Sequence, residues 1–271
     1  MNDSVAEIGS GQIMEVVMAY GTEKLSLSGR TALITGAGAG IGEACAHLLG
    51  HRGASLALID RNPDALGATA DDLEASGLSI VARTVGTIGH RDESHAAFHD
   101  AAGQAGTIDI LVNNAGLYLR TPMDEIDDEE WDRIFDVNVR GLYHISIAAA
   151  AHMRGNGWGR IVNIASVDGI VPFPGMAHYA ASKAAVISLT KTFGLANVEH
   201  GVLVNGVAPG AIDTEPMRIN NHIAHLADTV IPMGRGGEPE EVAEAVAFLA
   251  SDAASYFVGE TITASGGLAF R

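Results

Sequence analysis

The clearest capacity for proton transfer in this chain belongs to Tyr179 and Lys183, which lie four residues apart. The Ala- and Leu-rich stretch Ala177–Val198 predicts one helix, so the two side chains should share a face of it. A free phenol has a pKa of about 10, too high for acid–base work near neutrality. A neighbouring ammonium is expected to lower the pKa of Tyr179. The pair alone is a weak signal, because this spacing on an arbitrary helix more often serves packing or the surface.

Ser166 is the candidate partner of this pair. It lies thirteen residues before Tyr179 and closes the apolar run Arg160–Ala165, which predicts a strand. Its hydroxyl could hold a substrate oxygen while Tyr179 gives or takes the proton. We therefore predict a catalytic group formed where a strand ends and the Tyr179 helix begins.

Strand and helix patterns alternate around these residues. The predicted strands are Thr31–Thr35, Ala54–Asp60, Leu78–Thr84, Asp109–Asn113, Arg160–Ala165, Val202–Val207 and Thr261–Ala264. The predicted helices are Ile41–His51, Pro63–Ser76, His90–Ala105, Asp128–Met153, Ala177–Val198 and Pro239–Ala250. This alternation predicts a mostly parallel sheet covered by helices, which binds ligands at the carboxyl ends of its strands. We expect one domain over residues 29–271, after a loosely ordered N-terminal extension, residues 1–28.

The first predicted strand runs into a glycine-rich stretch, Thr35–Gly42. Glycines at a strand-to-helix turn let the backbone approach a pyrophosphate, and the following helix N-terminus offers free N–H groups. The spacing is Gly-x-x-x-Gly-x-Gly and not the usual Gly-x-Gly-x-x-Gly, so a tight turn without a ligand stays open. We predict that a cofactor is bound here by Gly36, Gly38, Ala39, Gly40 and Ile41.

The choice of cofactor depends on Asp60 and Arg61, which end the second predicted strand. A carboxylate here accepts hydrogen bonds from both adenosine ribose hydroxyls and repels a 2′-phosphate. Two such charges about 4 Å apart interact by roughly 4 kcal/mol at an effective dielectric near 20. Arg61 opposes this preference, because its guanidinium could still reach a phosphate. We predict NAD, with NADP as the less favoured alternative.

Amide side chains mark two further positions. Asn114, Ala115 and Gly116 follow the predicted strand Asp109–Asn113, where a backbone turn could pass close to the cofactor; an ordinary Asn-Gly-type turn is the alternative. Asn138 lies inside a predicted helix, where Asn is disfavoured. It could line a water path or distort the helix, and a solvated Asn is the alternative.

The composition argues against several other classes of protein. The chain of 271 residues carries a net charge of −17, which disfavours a nucleic-acid or anionic-membrane partner. No apolar run reaches the roughly 18 residues of a membrane span. Cys45 is the only cysteine, so a reducing cytoplasm is the expected setting. His95 and His99 are four apart, but no third ligand completes a site, and we predict no metal.

Taken in order along the chain, these residues resemble the motifs of the short-chain dehydrogenase/reductase family, in its single-domain branch. The motifs that carry the resemblance are Thr35–Gly42, Asn113–Gly116, Asn138, Ser166, Tyr179-x-x-x-Lys183 and Pro209-Gly210. The resemblance implies a Rossmann-type α/β fold, in which helices flank both faces of a doubly wound parallel sheet.

The family's roles fall on individual positions. Tyr179 resembles the general acid/base, Ser166 the residue that polarises the carbonyl, and Lys183 the residue that lowers the tyrosine pKa and holds the nicotinamide ribose. Asn138 resembles the residue that helps to hold a water in a proton relay, and Asp60 matches the NAD-preferring carboxylate. Further cofactor contacts are implied at Thr87, Pro209, Gly210, Ile212 and Thr214. Thr87 departs from the Asp that many relatives have there.

The resemblance implies hydride transfer between nicotinamide and a carbinol or carbonyl carbon. The predicted function is NAD-linked interconversion of a secondary alcohol and a ketone. An NADPH-dependent 3-oxoacyl-thioester reductase, acting on an acyl carrier protein, is the nearest alternative; a protein that senses NAD(H) without catalysis is a remote one. Expected substrate contacts are Ser166, Asp168, Phe173 and Tyr179. The expected pocket walls also include Leu117, Val167, Pro172, His178 and the segment Ile212–Met233. A homotetramer, or a homodimer, is implied as well.

Overall fold

A computed structural model describes residues 23–218, 226 and 229–270. The strands within these residues are β1 (Thr31–Thr35), β2 (Ser55–Asp60), β3 (Ile80–Val85), β4 (Ile110–Asn113), β5 (Gly159–Ile164), β6 (Val202–Pro209) and β7 (Thr261–Ala264). They form one sheet in the order β3-β2-β1-β4-β5-β6-β7, and every neighbouring pair is parallel.

The helices connect successive strands. They are α1 (Gly40–His51), α2 (Pro63–Ala75), α3 (Arg91–Ala105), α4 (Asp128–Phe135), α5 (Leu142–Asn156), α6 (Ala177–Asn197), the short α7 (Glu215–Arg218) and α8 (Pro239–Ala250). Local sequence sets several of their starts. Before α2, the Asn62 side chain accepts hydrogen bonds from the N–H groups of Asp64 and Ala65, and Pro63 takes the first helical position.

The sheet is covered on both faces, which confirms the predicted doubly wound fold. On one face, Leu49 of α1 and Val242 of α8 belong to one buried cluster. On the other face, Phe98 of α3 and Met153 of α5 belong to a second buried cluster. Strand β1 is buried along its whole length, as expected for a central parallel strand.

The direction of winding reverses at β1, because β2 lies on one side of it and β4 on the other. The connections from β1 and β4 therefore leave in opposite directions and open a crevice at the carboxyl ends of these strands. This crevice is where the predicted functional residues meet.

One predicted helix is interrupted. The stretch Asp128–Met153 is α4, then a π-helical turn over Asp136–Gly141, then α5. At the end of that turn the backbone passes very close to the loop after β3: a Cβ on Gly141 would lie 2.5 Å from the Ile88 carbonyl oxygen. A π-helical turn inside an α-helix often marks a functional position, and Asn138 lies within this one.

Most of the predicted N-terminal extension, residues 1–22, lies outside the described residues. Its last part packs on the domain: Leu27 is buried, and its N–H donates to the carbonyl of Arg52 at 2.8 Å. Among the described residues, no helix combines the length and apolar character needed to cross a bilayer.

Candidate active site

A cleft of about 1180 Å³ lies at the carboxyl edge of the sheet. Most of the predicted site residues line it: Gly36, Ala39, Gly40, Ile41, Asp60, Arg61, Thr87, Asn114, Ala115, Gly116, Ser166, Asp168, Phe173, Tyr179, Lys183, Pro209, Gly210, Ile212 and Thr214. Gly38 and Asn138 are the predicted site residues that do not line it. No group of three potential metal ligands occurs within the described parts of the chain.

The glycine loop between β1 and α1 is built for close backbone approach. Gly36 and Gly40 have positive φ values of 65° and 57°, which favour glycine. A Cβ on Gly42 would lie 2.0 Å from the Gly36 carbonyl oxygen, so this position admits no side chain. Ala39 precedes α1 and provides no side-chain cap. The first N–H groups of α1 are thus left for an anionic ligand, and a pyrophosphate fits that arrangement.

Asp60 ends β2 and is held by the backbone. Its Oδ2 accepts from the Gly38 N–H and its Oδ1 from the Asn62 N–H, both at 2.9 Å. Gly38 therefore acts indirectly, by orienting the carboxylate and not by lining the cleft. Arg61 is exposed beside Asp60 and lines the cleft as well, so both side chains could meet an adenosine ribose.

Asn114 ties the glycine loop to the end of β4. Its Nδ2 donates to the carbonyls of Thr35 and Gly36, at 3.1 and 3.0 Å. In return, the Thr35 hydroxyl oxygen accepts from the N–H groups of Asn114 and Ala115, both at 3.1 Å. The segment Asn114–Gly116 is therefore more than an ordinary turn, because its hydrogen bonds connect the carboxyl ends of β1 and β4.

Asn138 is buried, and both the oxygen and the nitrogen of its side chain form hydrogen bonds. Its Oδ1 accepts from the Leu117 N–H at 2.7 Å, and its Nδ2 donates to the Leu117 carbonyl and the Ser182 hydroxyl. The alternative of a solvated Asn is therefore wrong. The helix is distorted at this position, as predicted, because Asn138 lies within the π-helical turn. Asn138 acts on the cleft by holding the loop after β4 against α6. A role in a proton relay stays a prediction.

Tyr179 and Lys183 lie side by side on α6, and both are buried. The Lys183 Nζ donates to the Ile164 carbonyl at the end of β5, 2.8 Å away, and lies 5.7 Å from the centre of the Tyr179 ring. Burial lowers the pKa of Lys183 to about 8. The pair thus has the predicted arrangement at the predicted strand end.

The direction predicted for the Tyr179 pKa is wrong. Burial raises the pKa of Tyr179 above its usual value, and the nearby Asp168 and Tyr118 raise it further, although a hydrogen bond with Ser166 lowers it. Desolvation is the largest cause, because burial penalises the charged form of the ring. Tyr179 is accordingly held as a neutral phenol at neutral pH.

Ser166 follows β5 and starts the 3₁₀ turn Val167–Gly169. Its hydroxyl donates to Asp168 Oδ2 at 3.2 Å, and its oxygen accepts from the Asp168 N–H at 3.1 Å. Burial raises the pKa of Asp168, while Ser166 and Arg120 oppose that shift. The sequence placed Asp168 near the substrate but not in contact with Ser166.

The substrate side of the cleft mixes apolar and charged groups. Apolar lining comes from Leu117, Val167, Phe173, Pro174, Met176, Met217, Leu226 and Leu268. Tyr118 meets Tyr179 edge to face, with ring centres 5.0 Å apart, and Arg120 also lines the cleft. Sequence reasoning missed both residues, because they lie in an irregular segment without a motif.

Two predicted pocket walls are wrong. Pro172 does not line the cleft, and His178 is fully buried, with its Nε2 2.8 Å from Glu130 Oε1. Residues next to each other on a helix point in different directions, so His178 faces α4 where Tyr179 faces the cleft.

Known proteins resemble this chain over most of its length. A family model described as enoyl-(acyl carrier protein) reductase matches residues 36–269. The 3-oxoacyl-[acyl-carrier-protein] reductase FabG of Thermotoga maritima is 38% identical over 247 residues, which are 90% of this chain and 99% of that protein.

Solved structures agree. A gluconate 5-dehydrogenase from Burkholderia cenocepacia, in complex with NADP and tartrate, is 35% identical with a TM-score of 0.86, over 92% of this chain and 98% of its own. A 7α-hydroxysteroid dehydrogenase complexed with NADH and 7-oxoglycochenodeoxycholic acid is 35% identical with a TM-score of 0.86, over 91% and 96%. This chain therefore belongs to the short-chain dehydrogenase/reductase family of oxidoreductases, which use a nicotinamide cofactor.

Proposed function

We propose that this chain interconverts a ketone and a secondary alcohol, with Tyr179 transferring the proton. The observation that carries the proposal is the buried Tyr179–Lys183 pair beside Ser166, at the end of a cleft that begins at the glycine loop. When bound, the nicotinamide cofactor gives or takes a hydride. The residues that would hold it are the glycine loop, Asp60, Asn114–Gly116, Lys183 and the segment after β6.

The protein's own residues supply the proton step. Because burial keeps Tyr179 a neutral phenol, it is ready to give its proton to the oxygen of a ketone. Lys183 brings a positive charge close to the phenolate that forms. Ser166 lies beside the same ring to hold the substrate oxygen. This favours reduction at neutral pH, with oxidation gaining as the pH rises.

The first candidate substrate is a 3-oxoacyl thioester, reduced with NADPH. Reductases named for this reaction are 34–38% identical and are matched over nearly their whole length. Tyr118, Phe173 and Met176 supply apolar surface that an acyl chain could contact. In this reading an acyl carrier protein is the partner.

The second candidate is an NAD-linked exchange between a secondary alcohol and a ketone. It is favoured by Asp60, whose carboxylate is fixed at the position where a 2′-phosphate would be repelled. A relative binds NADH, and others bind NADP, so family membership leaves both cofactors open. The net charge of −17 also offers little attraction to an acidic carrier protein.

The two candidates are separated by titrating the purified protein with NADPH and NADH, followed by turnover with the tighter cofactor. Tighter NADPH binding and reduction of acetoacetyl thioesters would support the first candidate. Tighter NADH binding and exchange of secondary alcohols would support the second. Binding of either cofactor without turnover of any probe would contradict the catalytic proposal and favour a sensor of NAD(H).

We also propose that the chain self-associates as a homotetramer or homodimer. Large apolar side chains stand exposed on neighbouring helices: Trp131 at 41%, Tyr143 at 40% and Leu195 at 76%. Exposed apolar groups of this size are usual at contacts between chains. Light scattering should give a multiple of 28.0 kDa for the wild type and a smaller particle for Tyr143→Glu. A wild-type monomer would contradict this. A cytoplasmic setting stays a prediction.

A further inference from the structure

Asp168 brings a carboxylate into the substrate side of the cleft. Only 9% of the residue is exposed, and its Oδ2 accepts the hydrogen bond from Ser166. Burying a carboxylate is unfavourable unless donors or a cation compensate for the lost water. Asp168 lines the cleft, so its carboxylate can accept from a donor that enters there.

The same contact constrains Ser166. A hydroxyl has one proton to donate, and Asp168 Oδ2, 3.2 Å from the Ser166 oxygen, competes for it with the Tyr179 oxygen and with any substrate oxygen. A substrate carbonyl oxygen is an acceptor and needs that proton. Ser166 can polarise a ketone only after it turns away from Asp168, which leaves the buried carboxylate without its hydroxyl donor.

We propose that Asp168 determines specificity by accepting a hydrogen bond from a hydroxyl on the carbon next to the reacting carbon. That hydroxyl gives the carboxylate another donor, so Ser166 can turn to the reacting oxygen without leaving Asp168 unpaired. The inference rests on the proposed exchange of ketone and alcohol at Tyr179 and deepens it by naming the substrate class.

The class is the α-hydroxyketone and its product, the vicinal diol. The ketone carbon of a 3-oxoacyl thioester is flanked by CH₂ groups, which carry no donor for Asp168. A ketone without an adjacent hydroxyl also lacks this donor. When it accepts the Ser166 proton, Asp168 loses that hydrogen bond and gains no other. A buried acceptor left without a donor is costly, so Asp168 favours the second candidate function.

The surroundings agree with a polar group at this point. Arg120 lines the same cleft, and its positive charge opposes the rise in the pKa of Asp168. Phe173 and Met176, which also line the cleft, are apolar and offer no donor of their own. A hydroxyl on the substrate would add a donor at this carboxylate.

The test compares 2-hydroxycyclohexanone with cyclohexanone, which differ by the adjacent hydroxyl, and adds the acetoacetyl thioester of N-acetylcysteamine. We expect the wild type to prefer the hydroxyketone by at least tenfold in kcat/KM. In Asp168→Ala the preference should fall to near one, through loss on the hydroxyketone and a gain on cyclohexanone. Asp168→Asn keeps the shape and an acceptor oxygen, so its preference should be intermediate.

Asp71→Asn, which removes an exposed carboxylate on α2, is the matched control and should behave as the wild type. NADH fluorescence checks that each variant is folded. Equal loss on all three probes in Asp168→Ala would overturn the inference, because a structural defect does not change a preference. So would a wild type that reduces cyclohexanone or the thioester as well as the hydroxyketone, although the proposed function would then stand. No turnover of any probe by the wild type would overturn both.

Discussion

The two ends of the parallel sheet treat buried charge in opposite ways. At the amino end, the Arg160 guanidinium is paired with Asp252 Oδ1 at 2.9 Å and lies over the Trp158 ring at 4.2 Å. Arg30 lies on the same ring, 3.6 Å from its centre. At the carboxyl end, the buried Lys183 ammonium has a backbone carbonyl as its hydrogen-bond partner.

Burial lowers the pKa of both cations. At Arg160 the Asp252 carboxylate opposes this shift, whereas at Lys183 burial acts without an opposing carboxylate. The amino end therefore compensates its charge with an anion and an aromatic ring, as stability requires. The carboxyl end keeps its charge uncompensated, in the place where a reaction would need it. Stability and chemistry are thus assigned to opposite edges of one sheet.

Removing the reactive phenol should have the largest effect. Tyr179→Phe removes the proton donor and leaves the ring in place, so we expect kcat to fall roughly 10²–10⁴-fold. NADH binding, followed by fluorescence, should be unchanged and serves as the control. Turnover within tenfold of the wild type would remove Tyr179 from the catalytic role.

Disrupting the Arg160–Asp252 ion pair at the amino end of the sheet should lower stability and leave turnover unchanged. Arg160→Met removes the partner of Asp252 and the contact with Trp158, and we expect a loss of about 2 kcal/mol in the free energy of unfolding. Urea denaturation measures this loss. Asp252→Asn leaves the buried Arg160 guanidinium without its counter-ion, so it should also lower the free energy of unfolding. A variant with normal stability and impaired kcat would contradict the division between the edges.

At the carboxyl edge, Asp60 should control cofactor choice. Asp60→Ala removes the charge that repels a 2′-phosphate, so the ratio of NADPH to NADH affinity should rise roughly 10- to 100-fold. Fluorescence titration with both cofactors measures the ratio. Arg61→Ala is the paired variant and should lower NADPH affinity alone. An unchanged ratio in Asp60→Ala would place cofactor selection elsewhere.

The smallest expected effect is on pH dependence. Tyr179 stays protonated through the neutral range, and Lys183 loses its proton near its pKa of about 8. Steady-state kcat/KM for ketone reduction should therefore be flat between pH 6 and 7 and fall severalfold above about 8. A rise in reduction rate above pH 8 would contradict this assignment.

The alternating periodicity predicted the fold well, because buried parallel strands such as Ile110–Asn113 read as apolar runs. Tyr179, Lys183 and Ser166 could be placed because local spacing determines which strand end and helix face they share. The Tyr179 pKa was predicted in the wrong direction, since the desolvation of a ring depends on surroundings that spacing does not reveal. The contact between Asp168 and Ser166, and the π-helical turn at Asn138, also arise from tertiary packing.

Lys183→Met, measured for both stability and turnover, tests most directly whether stability and chemistry are assigned to opposite edges of the sheet. The fall of the Lys183 pKa from 10.5 to about 8 corresponds to about 3 kcal/mol of destabilisation. This penalty is complete below pH 8 and disappears as the pH rises through 10.5, because both folded and unfolded states are then neutral. Allowing for the lost hydrogen bond to Ile164, we expect the variant to be about 2 kcal/mol more stable than the wild type at pH 7. This gain should vanish at high pH, and turnover should be nearly lost. A variant less stable than the wild type at pH 7, or one that keeps its turnover, would contradict the claim that this edge is built for chemistry at the expense of stability.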